Sequence, residues 1–256
     1  AREKAQIFSH LEKGGVAVLN RDNRHFSFMN ELVEEFGGTQ IVTFGKHEEA
    51  DVRLLSYQEN NAGQGEVTAQ LHGENIHFTL GIMGEHQAVN ALGVLASINA
   101  AGADVQKAAR ALESYGGADG RGKVEKLHLD GGELYVMDDS YNASPASVKA
   151  GLLNLINYGK RVNARRTIAV LGDMFELGDT SPELHAGLAQ NIVENGVNLV
   201  FTAGGLTKHL HDALPEGIRG GHYKDAPETA EALKRELKAG DVILVKGSRG
   251  MRMDKI

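Results

Sequence analysis

From Glu133 onward the chain alternates short apolar runs with longer amphipathic ones, and this rhythm constrains the fold more than any other feature. The apolar runs are ELYVM, TIAVLG, NLVFTAG and DVILVKG. Helical patterns occupy Ala146 to Tyr158, Pro182 to Asn195 and Glu228 to Leu237. Near-continuous apolar strands that alternate with helices argue a mainly parallel sheet covered on both faces. The expectation is an α/β domain of Rossmann-like type. A hairpin, VEKLHL and ELYVM around Asp130-Gly131-Gly132, leads into it.

Upstream the rhythm is different. Glu3 to Leu11 reads as a helix with Ile7, Phe8 and Leu11 on one face, stopped at Gly14-Gly15, and Val16 to Leu19 as a buried strand. IVTF, VRLLS, VTAQL and IHFTL then suggest a small antiparallel patch, with turns at Asn60-Asn61 and His72-Gly73-Glu74. Gly84 to Ala101 is a helix with apolar positions Val89, Leu92, Val94, Leu95 and Ile98, and a shorter helix runs to Ser114. The segment YGGADGRGK, with four glycines in nine residues, is the expected hinge, dividing the chain into residues 1–115 and 116–256.

Composition excludes several classes. Acidic residues outnumber basic ones for a net charge of -7, and no stretch clusters Lys and Arg with aromatics, so nucleic acid is not an expected partner. There is no cysteine, which removes disulfides and thiolate metal sites and fits a cytoplasmic location. The apolar stretch Ala88 to Ala103 is interrupted by Asn90, Ser97 and Asn99. It falls short of the roughly 20 apolar residues that cross a bilayer. The opening residues are charged, carry no signal-peptide core and read as a helix cut mid-course. A monomer is expected.

In open parallel sheets ligands bind beyond the carboxyl ends of the strands. Three apolar runs end there in polar loops: Asp138-Asp139-Ser140-Tyr141-Asn142, Gly172-Asp173-Met174-Phe175-Glu176 and Lys246-Gly247-Ser248-Arg249-Gly250. Each alone reads as a turn, and Ser144-Pro145 reads as a helix cap. Together they mark one edge. His86 and Asn90 lie one turn apart at the start of a helix, where free amides and the helix dipole suit an anion or nucleotide. Arg121, within the glycine-rich hinge, carries donors that can close on a phosphate or ribose.

These residues carry a family resemblance. GEHQAVNAL, GRGKVE, MDDSYNASPASVKAGL, LGDMFELGDTSPELH and LVKGSRGMRM, in this order, resemble the central and C-terminal domains of the Mur ligases over essentially the whole chain. DDSYN, in place of a DYAH-type motif, is similar to the branch that adds D-alanyl-D-alanine to UDP-N-acetylmuramoyl-tripeptide. Gln87 stands where the family commonly has Asn, and Ser144 where it often has Asn. The resemblance implies part of a central ATPase domain over residues 1–115 and a Rossmann-like C-terminal domain over 116–256. It implies an ATP-dependent, Mg²⁺-assisted amide ligase of peptidoglycan synthesis that works through an acyl phosphate. By the same resemblance Asn90 lies on the adenine side with His86 at the helix start, Arg121 faces the ribose and Asp139 contacts the nucleotide, with Tyr141 and Asn142 close by. Lys4 matches a lysine that is carbamylated to help position Mg²⁺, for which partial burial would help. Lys246, Ser248 and Arg249 form a donor-rich loop for a carboxylate or phosphate on the dipeptide side, and His185 is expected to be structural.

No Walker A pattern occurs: Gly45-Lys46, Gly122-Lys123 and Gly159-Lys160 are not followed by Ser or Thr. The sequence therefore reads as a fragment lacking the phosphate cradle and inactive by itself. Competing expectations are another Mur or folylpolyglutamate-type ligase, or a non-catalytic Mur-like module that senses nucleotide.

Overall fold

The computed structural model describes residues 1–37, 40–60 and 63–256, so Asn61 of the expected turn lies outside the described residues. The chain divides into two units, Ala1–Gly116 and Gly117–Ile256.

The first unit runs α1 (Arg2–Ala5), β1 (Val16–Asn20), α2 (Phe26–Glu35), β2 (Gln40–Gly45), β3 (Val52–Glu59), β4 (Gly65–Leu71), β5 (Glu74–Leu80), α3 (Glu85–Ala100) and α4 (Val105–Ala111). Its five strands are ordered β1-β2-β3-β4-β5. β1, β2 and β3 pair in parallel, and β3, β4 and β5 antiparallel. Alternation along β1 explains why it sits between helices. Val16 and Val18 pack into the core under α3 with Val42, Leu92 and Leu95, while Ala17 and Leu19 pack with Val33 of α2.

Three expectations for this unit are corrected. The patch is not wholly antiparallel, because IVTF lies in β2, a parallel strand; nothing in a four-residue apolar run encodes its direction. The first helix is only four residues long and passes into a 3₁₀ turn at Gln6–His10. Ile7 is 74% exposed, whereas Phe8 and Leu11 pack against the Val33 cluster. α2 has no counterpart among the expected elements, since it starts on apolar residues without a side-chain cap.

The second unit follows the predicted alternation: β6 (Lys123–Leu129), β7 (Gly132–Asp139), α5 (Pro145–Arg161), β8 (Arg166–Gly172), α6 (Ser181–Ala186), α7 (Leu188–Glu194), β9 (Leu199–Ala203), α8 (Thr207–Ala213), β10 (Arg219–Tyr223), α9 (Ala226–Glu236) and β11 (Asp241–Lys246). Strand order is β10-β9-β8-β11-β7-β6, with every neighbouring pair parallel except β6 with β7. The α/β expectation thus holds. α5 starts on a capping box between Ser144 and Ser147 with Pro145 at its first turn. The expected helix from Pro182 to Asn195 is interrupted at Gly187, giving α6 and α7. β11, last in sequence, inserts between β7 and β8. This puts the ends of the three strands that carry the polar loops side by side.

Candidate functional site

Register decides what those three loops can do. Lys246, the last residue of β11, is level with Asp139 on one side and Leu171 on the other. Its ammonium reaches Asp139 Oδ2 at 2.6 Å and the Asn142 carbonyl at 3.0 Å. Lys246 is only 2% exposed. The donors of Lys246, expected on the ligand side, turn inward in this structure and fix the Asp139 carboxylate. Ser248 is buried too, and among the three donors of this loop Arg249 is the exposed one.

Asp138 and Asp139 are neighbours on a strand, so their side chains leave opposite faces. Asp138 braces the hinge. Its carboxylate accepts from the amides of Gly120 at 3.1 Å and Ser140 at 3.1 Å and from the Ser140 hydroxyl at 2.5 Å. Its carbonyl accepts from the Gly122 amide at 2.7 Å, and the Tyr141 amide donates to Gly120 O at 3.0 Å. Gly120 has φ +72°, and a Cβ there would lie 2.9 Å from the Tyr141 nitrogen, so only glycine fits. The glycine-rich stretch from Gly120 is thus stitched to β7. Over it, the Arg121 guanidinium lies 4.2 Å from the Tyr141 ring centre, and that of Arg249 lies 5.3 Å away. Arg249 also meets the Tyr141 hydroxyl at 3.4 Å. A cavity of about 360 Å³ opens here, lined by Gly120, Asp138, Ser140, Tyr141, Arg249 and Arg252 among others.

The loop after β8 joins the same edge. Ser248 donates its amide to the Asp173 carbonyl and accepts from the Phe175 amide, each at 2.9 Å. Asp173 caps α8 through the amides of Leu206 at 3.0 Å and Thr207 at 2.7 Å. His185, fully buried, accepts from the Met174 amide at 2.9 Å and donates from Nδ1 to the Ser181 carbonyl at 2.7 Å, a structural role as expected. Asp138, Asp173 and Ser248 were not assigned these roles from sequence. The signal for Asp138 was available in the period-2 alternation of β7; for the others it is long-range and absent from local pattern.

In the first unit, α3 starts at Gly84, whose amide donates to the Tyr57 hydroxyl at 2.6 Å. Burial and the neighbouring carboxylates push that phenol well above its ordinary range, so it stays protonated and can donate in turn to Glu59 at 3.2 Å. Glu85 pairs with Lys46 at 2.7 Å. His86 and Asn90 are both exposed, and the Asn90 amide lies 3.4 Å from Gln87 Oε1. Asn90 stands on a groove of about 510 Å³ whose other walls, including Val18, Phe44, Val94 and Ile98, are mainly apolar. Lys4 is exposed on α1, so the expected partial burial is not observed. Among the described residues no three His, Asp or Glu side chains come together to hold a metal ion. No helix among them is long and apolar enough to cross a membrane.

Comparison with known proteins adds an independent line. The family model described as Mur ligase middle domain matches residues 1–98, and that described as Mur ligase, glutamate ligase domain, matches residues 120–249. The chain is similar to the UDP-N-acetylmuramoyl-tripeptide–D-alanyl-D-alanine ligase of Rickettsia prowazekii, at 31% identity over all of this chain and 55% of the relative. To the Bacillus subtilis protein of the same name it is 30% identical, over all of this chain and 53% of the relative. Its fold is similar to MurF from Acinetobacter baumannii, with a TM-score of 0.80 at 22% identity, covering 99% of this chain and 53% of that one. It is also similar to MurF from Thermotoga maritima solved in complex with ADP, with a TM-score of 0.76 at 23% identity, covering 99% and 55%. The chain spans about half the length of the curated relatives it matches.

Proposed function

Because the chain belongs to the Mur ligase family, we propose that it forms part of a cytoplasmic, ATP-dependent ligase that joins D-alanyl-D-alanine to UDP-N-acetylmuramoyl-tripeptide in peptidoglycan precursor synthesis. A carboxylate is a poor electrophile. ATP supplies a phosphoryl group that converts the tripeptide carboxylate to an acyl phosphate; the dipeptide amine then attacks the carbonyl carbon and phosphate leaves with the C–O bond electrons.

The observation that carries this proposal is the cluster of Arg121 and Arg249 on Tyr141 at the carboxyl edge of the second unit, the edge at which β7 ends in Asp139 held by Lys246. Asp139, oriented by Lys246, offers a carboxylate acceptor suited to ribose hydroxyls, and Arg121 on the Tyr141 face offers the cationic donors. Asn142 contributes its carbonyl to Lys246, which places it in support of Asp139. In the first unit Asn90, at the rim of an apolar groove, suits a base edge, with His86 at the helix start. The ADP bound to the Thermotoga maritima neighbour supports a nucleotide on this fold. Arg249 is assigned to the amine substrate. Lys4 is assigned to the metal side as a carbamate, but the described residues of this chain alone do not assemble a Mg²⁺ site, and no step is routed through one.

The test is steady-state kinetics of the ligase that carries this chain. Arg121→Ala should lower kcat/KM for ATP by about 1.5 to 3 kcal/mol, the scale of a charge-assisted hydrogen bond. Asp139→Ala should act in the same direction. Unchanged ATP dependence in both would refute the nucleotide assignment.

A further inference from the structure

The Met174–Gly178 segment at the end of β8 takes no part in the nucleotide assignment, yet buried side chains hold it from two sides. His185, 0% exposed, accepts from the Met174 amide, and Ser248, 3% exposed, accepts from the Phe175 amide. Immediately afterwards Glu176 takes φ +62°, a left-handed conformation that a non-glycine residue adopts only when its surroundings impose it. What this restraint presents is an apolar side chain: Phe175 is 42% exposed. Its ring lies against Gly250, where a Cβ would come within 2.8 Å of Cε2. The preceding residue is Arg249, whose guanidinium meets the Tyr141 hydroxyl and no carboxylate among the described residues. A partly exposed phenyl ring and a guanidinium that rests on Tyr141 without a carboxylate partner among the described residues thus stand on loops at the same edge of the sheet.

From this arrangement we infer that Phe175 is a specificity-determining residue for the amine-bearing substrate, set in place by His185 and Ser248. The fitting ligand is a small peptide ending in a carboxylate beside a methyl-sized side chain: the carboxylate meets Arg249, and the methyl packs on the Phe175 ring. A larger or polar side chain is disfavoured there. This rests on the assignment of Arg249 to the amine substrate, and the test separates the two.

In the ligase that carries this chain, KM for D-alanyl-D-alanine and for ATP would be measured for Arg249→Ala, Phe175→Ser and Phe175→Leu. Phe175→Ser should raise KM for the dipeptide about tenfold, the scale of a lost apolar contact in a specificity pocket, with KM for ATP unchanged. It should also narrow the preference for D-alanyl-D-alanine over D-alanyl-D-serine. Phe175→Leu should restore most of the loss, which a purely structural defect would not predict for one substrate alone. If Arg249→Ala raises the dipeptide KM while Phe175→Ser does not, the inference about Phe175 is overturned and the Arg249 assignment stands. If neither substitution changes it, both fall.

Discussion

The parallel strands β8 and β11 of the second unit and β1 of the first stand in opposite situations. In the second unit β8 and β11 each have parallel neighbours on both sides and supply fully buried side chains such as Ile168 and Val242. In the first unit β1 is parallel but lies at the sheet edge, beside a groove where Val94 is 48% exposed. Parallel strands are normally covered on both faces and paired on both sides unless they are edges. The consequence extends to the candidate sites. Where strands are interior, their loops cross-link through Lys246, Ser248 and Asp173 into one preset edge. In the first unit the candidate residues stand exposed on two helices, Lys4 on α1 and His86 with Asn90 on α3.

The comparison can be broken most sharply at the base of β11. Asp241 is fully buried and takes two hydrogen bonds from Arg166, at 2.9 and 2.7 Å, and one from the Lys238 amide at 2.8 Å. The paired carboxylate holds the Arg166 guanidinium pKa up. Asp241→Ala should cost about 3 kcal/mol, the low end for breaking a buried pair, because Arg166 can still reach water. Urea unfolding followed by probes in each unit should show the loss in Gly117–Ile256 only. An equal loss in the first unit would mean that the two do not unfold separately.

A smaller effect is expected at α5. Ser144→Ala removes a capping box and should cost about 1 kcal/mol in the second unit. α3 starts at Gly84 without a side-chain cap, but Gly84 holds φ +106°, which strains any residue that carries a Cβ, so Gly84→Asn should destabilise the first unit rather than add a cap. Thermal melts of the two variants would show this.

The smallest effect concerns pH. The His211 and His222 rings lie tilted against each other at 5.6 Å between centroids, and burial holds both imidazoles below their ordinary pKa. The unfolded chain then takes up protons that the folded unit does not, so stability is complete above about pH 6.5 and falls as pH drops below it. Replacing His222 with Gln should flatten that acid limb in pH-dependent denaturation curves. An unaltered slope would remove this pair as its source.

Much of the second unit was legible because interior parallel strands must be apolar almost throughout, as TIAVLG and DVILVKG are. β10 was not. Its RGGHY carries no apolar signature and owes its place to β9, with Gly220 leaving room for the Phe201 ring. α8 was hidden because its cap is the side chain of Asp173, more than thirty positions upstream. The loops that form the candidate site were visible as polar strand ends. Their inward and outward faces were not, since whether Lys246 meets a ligand or Asp139 is set by the register of strands far apart in sequence.

Amide hydrogen exchange, measured on the 256-residue chain and on residues 117–256 alone, tests most directly whether the second unit is a self-sufficient platform for the converging loops. The account predicts that β8 and β11 amides are equally and strongly protected in both, and that β1 amides in the whole chain exchange faster. Loss of protection in β8 and β11 of the shorter chain, or β1 amides as protected as those of β11, would contradict it.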